Sequence, residues 1–107
     1  TSFLEGNYKS AIAQFEALLI ENDDAVLRFH LAQALLADRQ VERALPILQQ
    51  LDTQPAFPLA EQTDWYLALT LLAIGNTEAT RQQLETITNQ APTTYKHTEA
   101  QHLLDTL

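Results

Sequence analysis

Three histidines are the first side chains to test for chemistry, because imidazole both ligates metals and moves protons near neutral pH. They are His30, His97 and His102. In the closing stretch "YKHTEAQHLLDTL", Glu99 and His102 are three apart and can share one helix face. His97 and His102 are five apart and fall on different sides. No further ligand joins them, as the second histidine of an H-E-x-x-H pair would, so the pattern describes a solvated helix and not a metal site. His30 follows Phe29, where a hydrogen-bonding or stacking contact is its expected use. The adjacent carboxylates Asp23 and Asp24 suit a helix cap and the positive end of a helix dipole better than acid–base work. The serines are Ser2 and Ser10, neither in a G-x-S-x-G turn. With only Gly6 and Gly75, no glycine-rich phosphate loop can form, and with no cysteine there is no disulfide or thiolate metal site. No catalytic set and no cofactor site is expected, and the chain reads as non-enzymatic.

The elements that would position any site are helical. Ala, Leu, Gln and Glu are abundant, and valine is limited to Val26 and Val41, which leaves little to build strands from. The 107 residues fit one domain with a working core. Fourteen acidic residues against six basic ones give a net charge of -8. The basic residues are scattered, whereas nucleic-acid binders cluster theirs, so no nucleic-acid partner is expected. A basic protein partner would be electrostatically welcome, although solubility is the plainer use of the charge. The opening "TSFLEGNYKS" has neither the basic start nor the apolar core of a signal peptide.

Apolar periodicity predicts six helices. The first covers about 7–21, with Tyr8, Ala11, Ile12, Phe15 and Leu19 on one face and Asn7 as its N-cap. The second runs from a cap at Asp23 or Asp24 to about 37. The third covers about 41–51, with Val41, Ala44, Leu45, Leu48 and Leu51 inward and a mild bend at Pro46. After the loop "DTQPAFP", the fourth covers about 59–74. Gly75 stops it and Asn76 caps the fifth, which runs to about 89. The sixth covers about 95–106. The connections are short, so neighbours should be antiparallel.

The fourth helix poses a question. In "WYLALTLLAIGN", nine of the first ten residues are apolar or aromatic, with Thr70 the exception. That run is about half the ~20 residues a membrane span needs, so no membrane insertion by this segment is expected. An all-round apolar helix is normally a buried one, and something must lie on nearly every side of it.

The turns supply the answer. "LEGNYKSAIAQF", "ADRQVERALPIL" and "AIGNTEATRQQL" align at offsets of 33 and 36 residues. Gly6, Arg39 and Gly75 coincide, as do Tyr8, Val41 and Thr77, then Ala11, Ala44 and Thr80, then Phe15, Leu48 and Leu84. Ahead of the last two turns, "FHLAQALLADR" matches "WYLALTLLAIG" at the same 36-residue offset. The pattern resembles the tetratricopeptide repeat, a helix-turn-helix unit of about 34 residues. That motif expects a small residue in the first helix (Ala32, Ala68), glycine at the turn (Gly6, Gly75), an aromatic soon after (Tyr8), then alanine (Ala11, Ala44) and an aromatic (Phe15). Arg39 departs from the glycine, so its turn is either strained or built differently. Thr77 and Thr80 depart from the aromatic and the alanine. Asp23 stands near the motif's proline, which Pro55 and Pro92 fit only loosely.

The resemblance implies an all-α, antiparallel helix-hairpin solenoid forming a right-handed superhelical array. It would hold a partial first repeat at 1–22, a second at 24–53, a third at 59–90 and a capping helix at 95–107. The fourth helix would then lie between the second and third on one side and the fifth and sixth on the other. The final repeat and its cap are similar to the C-terminal repeats of bacterial envelope proteins of this family, and both cytoplasm and bacterial periplasm or envelope fit as compartments. The resemblance further implies a scaffold that binds a protein or peptide in a concave groove lined by Phe29, Gln33 and Leu36 of the second helix and Trp65, Leu69 and Leu72 of the fourth. A register slip of one would put Tyr66 in place of Trp65. Family members that grip a terminal carboxylate use Lys, Asn and Arg where this chain has Phe29, Gln33 and Leu69, so that activity is not expected. "TSFLEG" reads as the tail of a helix, which would leave Tyr8, Ile12 and Phe15 to be covered by upstream repeats or by another chain. The alternative role is therefore a structural segment of a larger envelope protein that self-associates through this face.

Overall fold

The computed structural model describes residues 7–54 and 56–107. Among them are six α-helices and no strand: α1 (Tyr8–Glu21), α2 (Ala25–Ala37), α3 (Val41–Asp52), α4 (Ala60–Ala73), α5 (Thr77–Thr88) and α6 (His97–Thr106). The expected bounds hold to within two residues at every end. Pro46 does not stop α3, which runs on through it. Each helix packs chiefly on its neighbours in sequence, and α2 also touches α4.

The capping residues are partly as expected. Asp24 is extended (φ -123, ψ 127), and its carboxylate accepts from the backbone N–H groups of Val26 and Leu27 at 2.7 and 3.3 Å. Asn76 accepts from the N–H of Ala79 at 3.2 Å. Asn7 does not cap α1 through its side chain. With φ -79 and ψ 25 it lacks the extended backbone that turns a cap side chain back toward the first turn.

The two fully described turns between hairpin helices are the same structure twice. At the end of α2, the N–H groups of Arg39 and Gln40 donate to the carbonyls of Leu36 and Leu35 at 3.0 and 2.8 Å. At the end of α4, those of Gly75 and Asn76 donate to Leu72 and Leu71 at 3.0 and 3.1 Å. This pairing closes a helix with one left-handed residue. That residue is Arg39 (φ 64) in the first turn and Gly75 (φ 83) in the second. The arginine turn is therefore built like the glycine turn and is the strained one of the two. Gly6, the third aligned position, lies outside the described residues.

The core repeats at the same spacing. Ala32 and Ala68, Ala44 and Thr80, Leu48 and Leu84, and Leu51 and Ile87 are pairs 36 apart, and all eight are fully buried. Thr63, Thr70 and Thr80 are buried without a polar orphan, because each hydroxyl donates to the backbone carbonyl four residues back at 2.7–2.8 Å. The wide apolar girth of α4 is accounted for. Thr63, Leu67, Ala68, Thr70 and Leu71 are buried, and within the helix only Glu61 and Ala73 are exposed. Leu67 and Leu71 join the cluster of α1–α3, while Ala68 joins Leu84, Ile87 and Ala100 of α5 and α6.

Candidate functional site: a shallow inner groove

Three shallow depressions run across α1, α2, α4 and α6, and adjacent ones share residues. The first, about 240 Å³, is lined by Tyr8 and Phe15 of α1 and His30, Gln33, Ala34 and Ala37 of α2. The second, about 460 Å³, lies between α2 and α4 and is lined by Gln33, Leu36, Ala37, Val41, Tyr66, Leu69 and Ala73. The third, about 440 Å³, lies between α4 and α6 and is lined by Trp65, Leu69, Leu72, Glu99, His102, Leu103 and Thr106. Gln33 and Ala37 belong to the first two, and Leu69 to the last two.

Helical spacing explains the row. Trp65, Leu69 and Leu72 follow one another at four and three residues and so share a face of α4, as Glu99, His102, Leu103 and Thr106 do on α6. His30 and Tyr66 are equivalent residues 36 apart, and so are Gln33 and Leu69. His30 stacks on Phe15 with ring centroids 6.1 Å apart and an interplanar angle of 22°, and its Nδ1 is 3.1 Å from Gln33 Oε1. The stacking contact expected of His30 is thus present, made across the α1–α2 seam.

Of the six residues expected to line a groove, Gln33, Leu36, Trp65, Leu69 and Leu72 line these depressions. Phe29 does not. It is 3 % exposed, with Phe57 at 6.2 Å and Tyr66 at 5.7 Å, both edge-on. The loop between α3 and α4 brings Phe57 over it, a contact no local periodicity could reveal. The neighbouring His30 takes the outward place. Tyr66 and Trp65 do not compete for one position, since each lines a different depression. The contribution of α6 through Glu99, His102 and Leu103 was missed. Its sequence signal was the three-residue spacing of Glu99 and His102, which reads equally well as a solvated face. His97 is turned elsewhere, with Nε2 3.1 Å from the carbonyl oxygen of Thr88.

Glu99 is the one carboxylate lining these depressions, and neither Lys nor Arg lines any of them. Lys9 donates to Asp38 at 2.9 Å, and this bond, with a second from Gln40, holds the Asp38 carboxyl below its ordinary range. Where α3 and α4 meet, Asp52 and Asp64 share one neighbourhood. Partial burial, then hydrogen bonding and repulsion from Asp64, push the Asp52 carboxyl up to about 7. Asp64 is also met by the side-chain amides of Gln83 and Gln90, each 3.4 Å from a carboxylate oxygen. Among the described residues no group of three or more His, Asp or Glu is placed to hold a metal ion, and no helix is long and apolar enough to cross a membrane.

Repeated helix hairpins closed by matching turns, with small residues buried where helices meet, define an α-helical repeat protein. The family model described as tetratricopeptide repeat matches residues 2–62, more than half of the chain, and the protein belongs to that family. The matched region takes in α1 to α3 and the start of α4. No curated protein and no solved structure gives a significant match. Tetratricopeptide repeats generally act as non-enzymatic scaffolds that mediate protein–protein interaction.

Proposed function

We propose that this protein is a non-enzymatic interaction module that holds a segment of a protein partner in the groove across α2, α4 and α6. The observation that carries the reading is the sharing of Leu69, through which the α2–α4 and α4–α6 depressions become one track. Apolar floors with few charges are what protein segments bury when they dock. With Leu69 and Leu72 each changed to Gln, the purified partner complex weakens about tenfold or more, as expected when a central apolar anchor is lost. Both side chains are only half-buried, so the helical circular-dichroism signal stays that of the parent. Undiminished binding by both variants would overturn the groove.

A second reading is favoured by one feature of α1. The stripe Tyr8, Ala11, Phe15 and Leu18 is equivalent to Val41, Ala44, Leu48 and Leu51 on α3 and to Thr77, Thr80, Leu84 and Ile87 on α5. The last three members of the α3 and α5 stripes are fully buried, under the helices that precede them. On α1 the stripe is less covered: Tyr8, Ala11 and Phe15 are half-buried, and Leu18 is 47 % exposed. This face supports a role in assembly, with a second copy of the chain covering it.

A further inference from the structure

We infer that the groove is selective for a cationic amphipathic segment, one that sets large apolar side chains into the depressions and carries Lys or Arg between them. The inference rests on the groove reading and adds the chemistry of the occupant. Three observations carry it.

The first is that every depression offers aromatic rings and none offers a cation. Tyr8, Phe15 and His30 line the first, Tyr66 the second and Trp65 the third, while neither Lys nor Arg lines any of them. Phe15 already stacks on His30, so the rings left to attract ammonium and guanidinium groups carried beside the apolar anchors are those of Tyr8, Tyr66 and Trp65. The second is that the one carboxylate in the lining, Glu99, stands beside Trp65 and Leu69 in the α4–α6 depression. Its own cation is Lys96, at 3.7 Å and one turn back, a pair loose enough to be exchanged for an incoming ammonium. The third is the supply of countercharge. Of the six basic residues, Lys9, Arg28, Arg43, Arg81 and Lys96 are each already held by a carboxylate at 2.7–4.0 Å. The net charge of -8 is therefore surplus that the chain does not neutralise for itself. The molecule extends 39 × 30 × 23 Å. A screening length of about 8 Å in physiological salt lets Glu99 act on a segment lying in the α4–α6 depression. Such a field draws in a cationic segment and turns away an acidic one with the same apolar face.

The test uses two synthetic amphipathic helices about five turns long, identical on a Leu/Phe face, with Lys on the polar face of one and Glu on the other. Trp65 is the single tryptophan, so its emission reports occupancy of the α4–α6 depression without a label. The Lys peptide is expected to shift Trp65 emission to the blue and to bind at least about tenfold more tightly than its Glu twin, with the difference shrinking as salt is raised. Glu99→Lys narrows the same difference, and Leu69→Gln weakens the Lys peptide. Equal binding of both peptides, lost in Leu69→Gln, overturns the charge selectivity while the groove stands. Binding of the Lys peptide that leaves Trp65 emission unchanged and ignores Leu69→Gln overturns the groove as its seat. Failure of the Lys peptide to bind at all overturns the selectivity directly.

Discussion

Arg39 and Gly75 occupy the same left-handed position of two superposable turns, 36 residues apart, at φ 64 and φ 83. The two bonds that close each turn correspond, Arg39 and Gln40 to Leu36 and Leu35 as Gly75 and Asn76 to Leu72 and Leu71, so the closing residues differ chiefly in the presence of a Cβ. A β-carbon in this region costs about 1–2 kcal/mol, although glycine gives some of that back through the larger entropy of its unfolded state. Arg39→Gly should therefore stabilise the fold by about 1 kcal/mol. For a domain of this size that is a rise in Tm of roughly 4–8 °C. Arg39 makes no ion pair within 4.0 Å among the described residues that the change would sacrifice. Nothing lies within 4 Å of a Cβ built on Gly75. Gly75→Ala should accordingly lower stability by a similar amount through backbone strain alone. Urea titration of both variants measures the two signs. A destabilised Arg39→Gly would show that the arginine side chain holds its turn together.

Four small residues at the repeat spacing, Ala32, Ala44, Ala68 and Thr80, are all fully buried. Ala68→Leu adds volume where there is none to spare and should cost at least about 1–3 kcal/mol. Ala73→Leu, at an exposed site of the same helix, should stay within about 0.5 kcal/mol. Helix propensity is nearly equal for the two residues, so the difference isolates packing. At Ala44 the structure shows which larger residue the site accepts. Its equivalent Thr80 fits by donating its hydroxyl to the Asn76 carbonyl at 2.8 Å, and the corresponding acceptor for position 44 is the carbonyl of Gln40. Ala44→Thr should then be milder than Ala44→Leu when both are melted side by side.

The same residues mark how far the sequence could be read. The helices and their turns were legible because their signals are local. Apolar residues recur at the helical period, and Gly, Arg and Gly fall at fixed distances from small residues. That Gln33, Leu36, Trp65, Leu69 and Leu72 line surface depressions was legible for the same reason, since it follows from the register of α2 and α4. Phe29 was not, because its burial depends on Phe57 arriving from a loop twenty-eight positions on. Nor was the wall contributed by α6, where Glu99 and His102 sit at a spacing that an exposed helix would also show. The neighbourhood of Asp52 and Asp64 is likewise a product of the fold, since no sequence rule brings residues on consecutive helices to the same place.

That carboxylate pair gives a pH dependence of definite sign. Asp52 titrates near 7 in the fold and near 3.9 when unfolded. Between those values the folded chain holds more protons than the unfolded one, so this contribution to stability falls as pH rises. It is fully present below about pH 4 and lost as the pH passes through 7. Asp52→Asn keeps a neutral partner for Asp64 at every pH. The variant should melt above the parent at pH 8, by no more than about 1 kcal/mol because solvent screens a partly exposed site, and alike at pH 4. Melting curves at the two pH values decide it. An advantage of equal size at both would place its origin outside the titration of this pair.

The incompletely covered stripe on α1 makes the last prediction. If a second copy covers Tyr8, Ala11, Phe15 and Leu18, sedimentation of the purified chain should show a concentration-dependent dimer. Leu18→Lys should abolish it, because a charge set into an apolar seam loses its water without gaining a partner. The substitution costs the isolated chain little. Leu18 is already 47 % exposed, and a cation in the last turn of α1 meets the negative end of the helix dipole, where that helix has no basic residue of its own. Melting temperature at low concentration should therefore be nearly that of the parent while the dimer disappears. A parent chain that stays strictly monomeric at the highest accessible concentration would rule out self-association through α1.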